Sequence, residues 1–179
     1  MAKVLVTGAS GFIGSNLTRK LLQSKDNDVV IFTRKNSNLW RLQDVLQDIE
    51  THVVNLFDLQ TLSKVIHKIN PEIVFHMAAY GVYPFQKDLA SFIEGNITSS
   101  VNLMQSLENC GSVKKFVNIG TSAEYKSKST PMKETDVPEP TTPYGITKLA
   151  QTLFANYFAK QNKLLKNIER VRIPKIGAK

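Results

Sequence analysis

The sequence predicts an α/β fold: a doubly wound parallel sheet in three layers, α/β/α. Three observations carry it. Strand-like and helix-like patterns alternate along nearly the whole chain. The strand segments are short, continuous apolar runs, as in strands covered on both faces. The first of them ends in a glycine-rich turn that opens a helix, the start of a βαβ unit. Right-handed crossovers between parallel strands complete the arrangement.

Each element follows from its pattern. Val4–Thr7 is an apolar run stopped by Gly8, and Phe12, Ile13, Leu17, Leu21 and Leu22 then recur on one side of a helix over 12–22. Val29–Thr33 is the second strand, and a helical stretch covers about 38–48. Thr51–Asn55 is the third strand. Asp58 caps a helix carrying Leu59, Leu62, Val65, Ile66 and Ile69, which Pro71 ends. Ile73–His76 is the fourth strand, a long helix fills about 88–109, and Lys115–Ile119 is the fifth strand. The polar, proline-rich loop over 126–143 is the candidate mobile segment. A helix from Tyr144 to about Lys163 follows, and Ile168–Ile173 reads as a sixth strand.

With 179 residues the chain amounts to one domain over 1–165, then a sixth strand and a basic tail over 166–179. Its 42% hydrophobic and 21% charged residues exclude a disordered chain. One cysteine, Cys110, leaves no disulfide framework and fits a reducing cytoplasm. No apolar run approaches the ~18–20 residues of a membrane span, and the N-terminus lacks the apolar stretch of a signal peptide. The net charge of +8 raises the question of a polyanionic partner. Residues 160–179, however, hold seven lysines and arginines against the single acid Glu169, which accounts for +6 of it. The rest is nearly balanced, so neither nucleic acid nor membrane is expected as a partner.

In Thr7-Gly8-Ala9-Ser10-Gly11-Phe12-Ile13-Gly14, the glycines allow a tight turn. They let the loop's backbone N–H groups, from Ser10 through Ile13, approach a pyrophosphate at the helix N-terminus. A purely structural turn is the alternative; the strand–loop–helix context favours a dinucleotide. At the end of the second strand an acid would bind a ribose 2′-OH and an arginine would accommodate a 2′-phosphate. Thr33-Arg34-Lys35 contains no acid, which favours NADP(H) over NAD(H), against the alternative of an ordinary solvated loop. Asn55 follows the third strand, where it can meet an adenine edge or serve turn chemistry.

Five motifs in order resemble the extended short-chain dehydrogenase/reductases of the NAD(P)-dependent epimerase/dehydratase family, a Rossmann-fold family. They are the glycine loop above, Val74-Phe75-His76-Met77-Ala78-Ala79-Tyr80-Gly81, Asn96, Ile119-Gly120-Thr121-Ser122-Ala123-Glu124-Tyr125, and Pro143-Tyr144-Gly145-Ile146-Thr147-Lys148. The resemblance runs to about Ala159. It implies that Thr121 is the catalytic hydroxyl, with Ser122 one residue away as the fallback. It also implies that the backbone at Ala78, Ala79 and Gly81 meets the cofactor, that Asn55, with Leu56 after it, replaces the usual aspartate at the adenine, and that Asn96 is a structural or active-site asparagine in the cofactor region. His76, Met77 and Phe75 are expected to support core and loop.

Residue chemistry agrees with that set. Tyr144 and Lys148 stand four apart, on one face of a helix one turn from each other. An ammonium beside a phenol lowers the phenol's pKa toward the operating pH, where it can trade protons with a sugar hydroxyl or keto oxygen. Thr121, at the end of the fifth strand, would orient that oxygen, and Tyr144 and Lys148 would also touch the cofactor. Family members that eliminate water carry a glutamate two residues after the catalytic threonine; here that position is Ala123, and only a one-residue slip would bring Glu124 into it. The resemblance therefore implies 4-epimerisation or 4-keto reduction of a nucleotide sugar, with CDP- or dTDP-deoxysugars as the guessed substrates and dehydration disfavoured. A non-catalytic NADP(H)-binding module is the alternative. Family members continue into a substrate domain, which this sequence, ending at Lys179, is expected to lack. A homodimer through the two long helices is the expected assembly.

Overall fold

The computed structural model of the chain describes residues 1–81, 83–108, 110–161 and the backbone of 168–173. The strands are β1 (Ala2–Thr7), β2 (Asn27–Thr33), β3 (Glu50–Val53), β4 (Ile73–His76), β5 (Lys115–Thr121) and β6 (Ile168–Ile173). All are parallel, in the order β3-β2-β1-β4-β5-β6. The winding reverses between β1 and β4, the switch point at which such sheets open a crevice at their strand C-termini. The expected end of the last long helix near Lys163 and the basic residues beyond Ile173 lie outside the described residues. Among the described residues no helix is long and apolar enough to cross a membrane.

Side-chain alternation divides the core. One face carries Leu5, Val30, Val74 and Phe116, in register across four strands, packed under α2 (Leu59–Ile69), α4 (Ser99–Glu108) and α5 (Pro143–Gln161). The other carries Val6, Val29 and Ile31 under α1 (Phe12–Leu22) and the segment that follows β2. Asp58 caps α2 as expected, accepting from the Thr61 amide at 3.1 Å. Asn70 closes the same helix in the left-handed conformation, with φ at 53°.

Four expectations are corrected. The stretch over 38–48 is not an α-helix but two 3-10 turns, Trp40–Leu42 and Leu46–Asp48. Leu39, Leu42 and Val45 recur every three residues, so a three-residue turn keeps all of them on the core. On α1 the buried residues are Gly14, Ser15 and Thr18, while Phe12 and Ile13 stand exposed. The helix must approach the sheet closely at that end, and only small residues allow it. The third strand ends at Val53 rather than Asn55, because the Asn55 side chain turns the chain by accepting from the Phe57 amide at 3.1 Å. The long fourth helix is interrupted: α3 (Leu89–Phe92) passes through a π-helical segment, Ile93–Thr98, before α4. The loop over 126–143 is cross-braced by Lys126–Glu139 and Lys128–Asp136 ion pairs at 3.4 and 2.6 Å.

Two residues beyond the apolar row, the same face of the sheet turns polar. Thr7, His76 and Asn118 pair in register across β1, β4 and β5, and all three are buried. The Ser100 hydroxyl on α4 donates to the Asn96 carbonyl (2.6 Å), so it accepts from His76 Nε2–H (2.7 Å). His76 Nδ1 is then the acceptor for the Thr7 hydroxyl (2.7 Å), whose oxygen takes the Met77 and Ala78 amides at 3.3 and 3.4 Å. Every polar atom in this relay is satisfied by a neutral imidazole.

Burial, assisted by the charge of Lys148, pushes the His76 pKa down to about 3. In the unfolded chain the ring takes a proton near 6.5; the folded chain refuses it until about 3. The stabilisation is therefore complete above pH 6.5 and is lost as pH falls from there. The difference in unfolding free energy between the wild type and His76→Gln, from urea titrations at pH 4–7, should shrink on acidification by up to about 1.4 kcal/mol per pH unit. A pH-independent difference would refute this.

Candidate active site

The glycine loop lies at the C-terminal end of β1, backed by the segment that follows β4. Gly8 has φ +72°, and a Cβ there would sit 2.6 Å from the Ala78 amide nitrogen. A Cβ on Gly14 would run into the Gly8 carbonyl. The first turn of α1 therefore lies tight against the loop, with Gly11, Phe12 and Ile13 on the surface and Ser10 half-buried. This is a cradle that side chains would fill, with the helix N-terminus open behind it, and it fits a dinucleotide pyrophosphate.

Segment 77–81 is held from behind. The Asn96 side chain, fully buried in the π-helical segment, accepts from the Tyr80 amide (2.7 Å) and donates to the Tyr80 carbonyl (3.0 Å) and the Thr147 hydroxyl (2.9 Å). The widened π turn brings it to both partners at once. All of these bonds run to protein, so Asn96 supports the segment from behind. Gly81, at φ +93°, leaves no room for a side chain beside the Phe92 ring. Ala78, Ala79 and Gly81 thus stand on a braced backbone next to the glycine loop.

At the far side of the crevice α5 opens on Thr142, whose hydroxyl accepts the Gly145 amide at 3.1 Å, with Pro143 as its first residue. Gly145 lies directly on the Ala123 carbonyl, with no space for a side chain. That close approach seats Tyr144 beside Thr121, at the end of β5. Lys148, one turn on, is buried; its ammonium hydrogen-bonds Gln151 Oε1, and Gln151 Nε2 donates to Asn118 Oδ1 at 2.7 Å. The Tyr144 pKa is raised above the ordinary phenol value, first by burial, with the hydrogen bond to Thr121 opposing and the charge of Glu124 adding. The sequence-based expectation that Lys148 lowers it does not describe this state, in which the ammonium is engaged through Gln151.

Arg34 is exposed at the end of β2, in a turn closed by Ser37, whose hydroxyl accepts the Arg34 amide at 2.9 Å. Asn55 is exposed and its side chain serves the turn already described, while the Leu56 carbonyl is held by Asn102 on α4 at 3.0 Å. Ala123 offers no acid, and Glu124 is turned fully inward. Sequence reasoning missed the supporting set: Thr7, Ser100, Asn118, Thr147 and Gln151. Their one signal is a polar residue where strand or helix periodicity calls for an apolar one. Among the described residues no group of histidine, cysteine and carboxylate side chains could hold a metal ion.

The NAD dependent epimerase/dehydratase family matches residues 4–168. Over 152 residues the chain is 33% identical to the UDP-glucose 4-epimerase of Mycoplasma pneumoniae, covering 82% of this chain and 45% of that protein. It is 30% identical over 175 residues to the dTDP-D-glucose 4,6-dehydratase of Dictyostelium discoideum, covering 87% of this chain and 40% of the other. The crystal structure of a UDP-glucuronic acid 4-epimerase from Bacillus cereus in complex with NAD superposes with a TM-score of 0.84 at 27% identity, over 97% of this chain and 57% of that one. The chain spans about half the length of the curated relatives it matches. The parallel sheet and its switch point agree with that match over nearly the whole chain, which belongs to the NAD-dependent epimerase/dehydratase family.

Proposed function

We propose that the chain acts in 4-epimerisation or 4-keto reduction of a nucleotide sugar. The observation that carries this reading is the half-buried Tyr144 phenol beside the Thr121 hydroxyl, with the Lys148 ammonium one helical turn behind, at the strand C-termini that carry the glycine cradle. A bound nicotinamide dinucleotide supplies a hydride acceptor and donor. Gly8, Ser10, Gly11, Phe12, Ile13 and Gly14 would hold its pyrophosphate, and the backbone at Ala78, Ala79 and Gly81, with Asn55 and Leu56 toward the adenine, would complete its binding. Thr121 orients the sugar oxygen. The Tyr144 oxygen takes the proton as that hydroxyl becomes a carbonyl and returns it when the carbonyl is reduced. Lys148 keeps a positive charge close to the phenol's helix face. Elimination of water needs an acid–base group next to Thr121, and Ala123 supplies none.

The basic end of β2 favours NADP(H) in this chain, although the Bacillus cereus relative was solved with NAD. The first two relatives named above carry UDP-glucose and dTDP-glucose in their names, so the substrate panel spans UDP-, dTDP- and CDP-sugars. Exposed Leu89 and Ile93 before α4, and exposed Ile146, Leu153, Phe154 and Tyr157 on α5, support self-association through these helices. Sedimentation velocity should give a dimer, and Phe154→Glu a monomer; a monomeric wild type at micromolar concentration would reject the dimer.

Fluorescence titration should show NADPH binding tighter than NADH, with Arg34→Ala weakening NADPH about tenfold and leaving NADH nearly unchanged. Equal losses for both cofactors would assign Arg34 no part in selecting them. Tyr144→Phe should lower turnover of an accepted nucleotide sugar by about 100-fold or more. Cofactor binding without turnover of any sugar on the panel would instead favour a binding module.

A further inference from the structure

Glu124 is a buried acid that this reaction leaves unused. It lies in the 3-10 turn Ser122–Glu124, between the end of β5 and the loop over 126–143, and is fully inaccessible. Its Oε1 accepts the Thr121 amide at 2.9 Å, while the Thr121 hydroxyl accepts the Ala123 amide at 3.2 Å, a reciprocal capping box. Its Oε2 accepts the Thr152 hydroxyl on α5 at 3.2 Å. The side chain therefore ties the backbone of Thr121 to the helix that carries Tyr144 and Lys148. Both oxygens act as acceptors, as an ionised carboxylate does.

We propose that Glu124 is a positioning residue for the Thr121–Tyr144 pair: its carboxylate clamps the Thr121 turn onto α5 and sets a fixed negative charge behind the Tyr144 phenol. This rests on the reading of Thr121 and Tyr144 as the acid–base pair. The Tyr144 pKa, raised in part by this carboxylate, agrees with the geometry. Other groups near the phenol have their own arrangements. Lys148, on the same helix, hydrogen-bonds Gln151; His76, from β4, is neutral; the Thr121 hydroxyl, from β5, opposes the rise. A negative charge at this place keeps the phenol protonated in the free chain, so the phenolate that takes a proton from a sugar hydroxyl forms only once substrate and cofactor are bound.

The test reads the phenol itself, in the chain as it stands. Carbon-13 Cζ-tyrosine NMR titrates all five tyrosines, and Tyr144→Phe identifies the resonance of Tyr144. Glu124→Gln is isosteric: its carbonyl can still accept the Thr121 amide and its amide can donate to the Thr152 oxygen. It should lower the Tyr144 pKa by about one unit. Thr152→Val breaks the clamp but keeps the charge, and should raise the Tyr144 pKa by loosening the Thr121 hydrogen bond that holds it down, the opposite direction to Glu124→Gln. An unchanged Tyr144 titration in Glu124→Gln, or equal shifts in the two variants, would overturn the proposal. If Glu124→Gln does not fold, the wild type decides. The Glu124 Cδ resonance should move through the pH range in which Tyr144 ionises and stay still in Tyr144→Phe, and no response would overturn the coupling. These titrations hold whether or not any sugar turns over, so an inactive chain would count against the proposed reaction and not against the role of Glu124.

Discussion

The buried polar row at the ends of β1, β4 and β5 is the constraint on which the rest of the site depends. Thr7, His76 and Asn118 occupy positions that alternation assigns to the core, so each must find a partner or leave a desolvated polar group unpaired, at about 1–3 kcal/mol apiece. Ser100 on α4 and Gln151 on α5 meet that demand, and they do so in only one register of each helix. Apolar packing under the same helices tolerates small shifts; this row does not. It thereby fixes α5, through Gln151, against Asn118 on β5, and the 77–81 segment on the Thr7 hydroxyl.

Steric contacts without side chains do complementary work. Gly8 against Ala78, Gly81 against Phe92 and Gly145 against Ala123 are three places where the backbone comes too close for a Cβ. The glycine loop rests on the 77–81 segment, that segment on the π-helical insertion, and the start of α5 on the turn after β5. Rigid support of this kind suits the proposed reaction, since loosening any one contact would move the groups lining the crevice relative to one another.

The motif set shows how pattern and role can part. Asn96 belongs to the recognisable series, and its side chain braces Tyr80 and Thr147, a supporting role that the motif alone does not show. Glu124, met in the sequence only as a rival for the acid at position 123, is turned inward and tied at both oxygens. Tyr144 and Lys148 are neighbours on a helix face, as their spacing says, yet the ammonium is engaged through Gln151 and the phenol's proton is held more tightly than the spacing alone implies.

The sequence by itself determined the fold class, the strand assignments to within two residues, and the glycine-rich turn that opens the first helix. These are short-range matters: apolar runs, a capping aspartate at Asp58, a glycine where φ is positive. The tertiary structure decided the rest. It turned 38–48 into 3-10 turns, because a three-residue repeat of Leu39, Leu42 and Val45 meets the core best that way. It left Phe12 and Ile13 exposed and opened a π turn at Asn96. It also joined His76, Ser100, Gln151 and Glu124 to partners far away in the chain. A hydrogen bond between residues separated by 24 to 69 positions leaves no local trace beyond a polar residue in an apolar pattern, and the partner exists only once sheet and helices have packed.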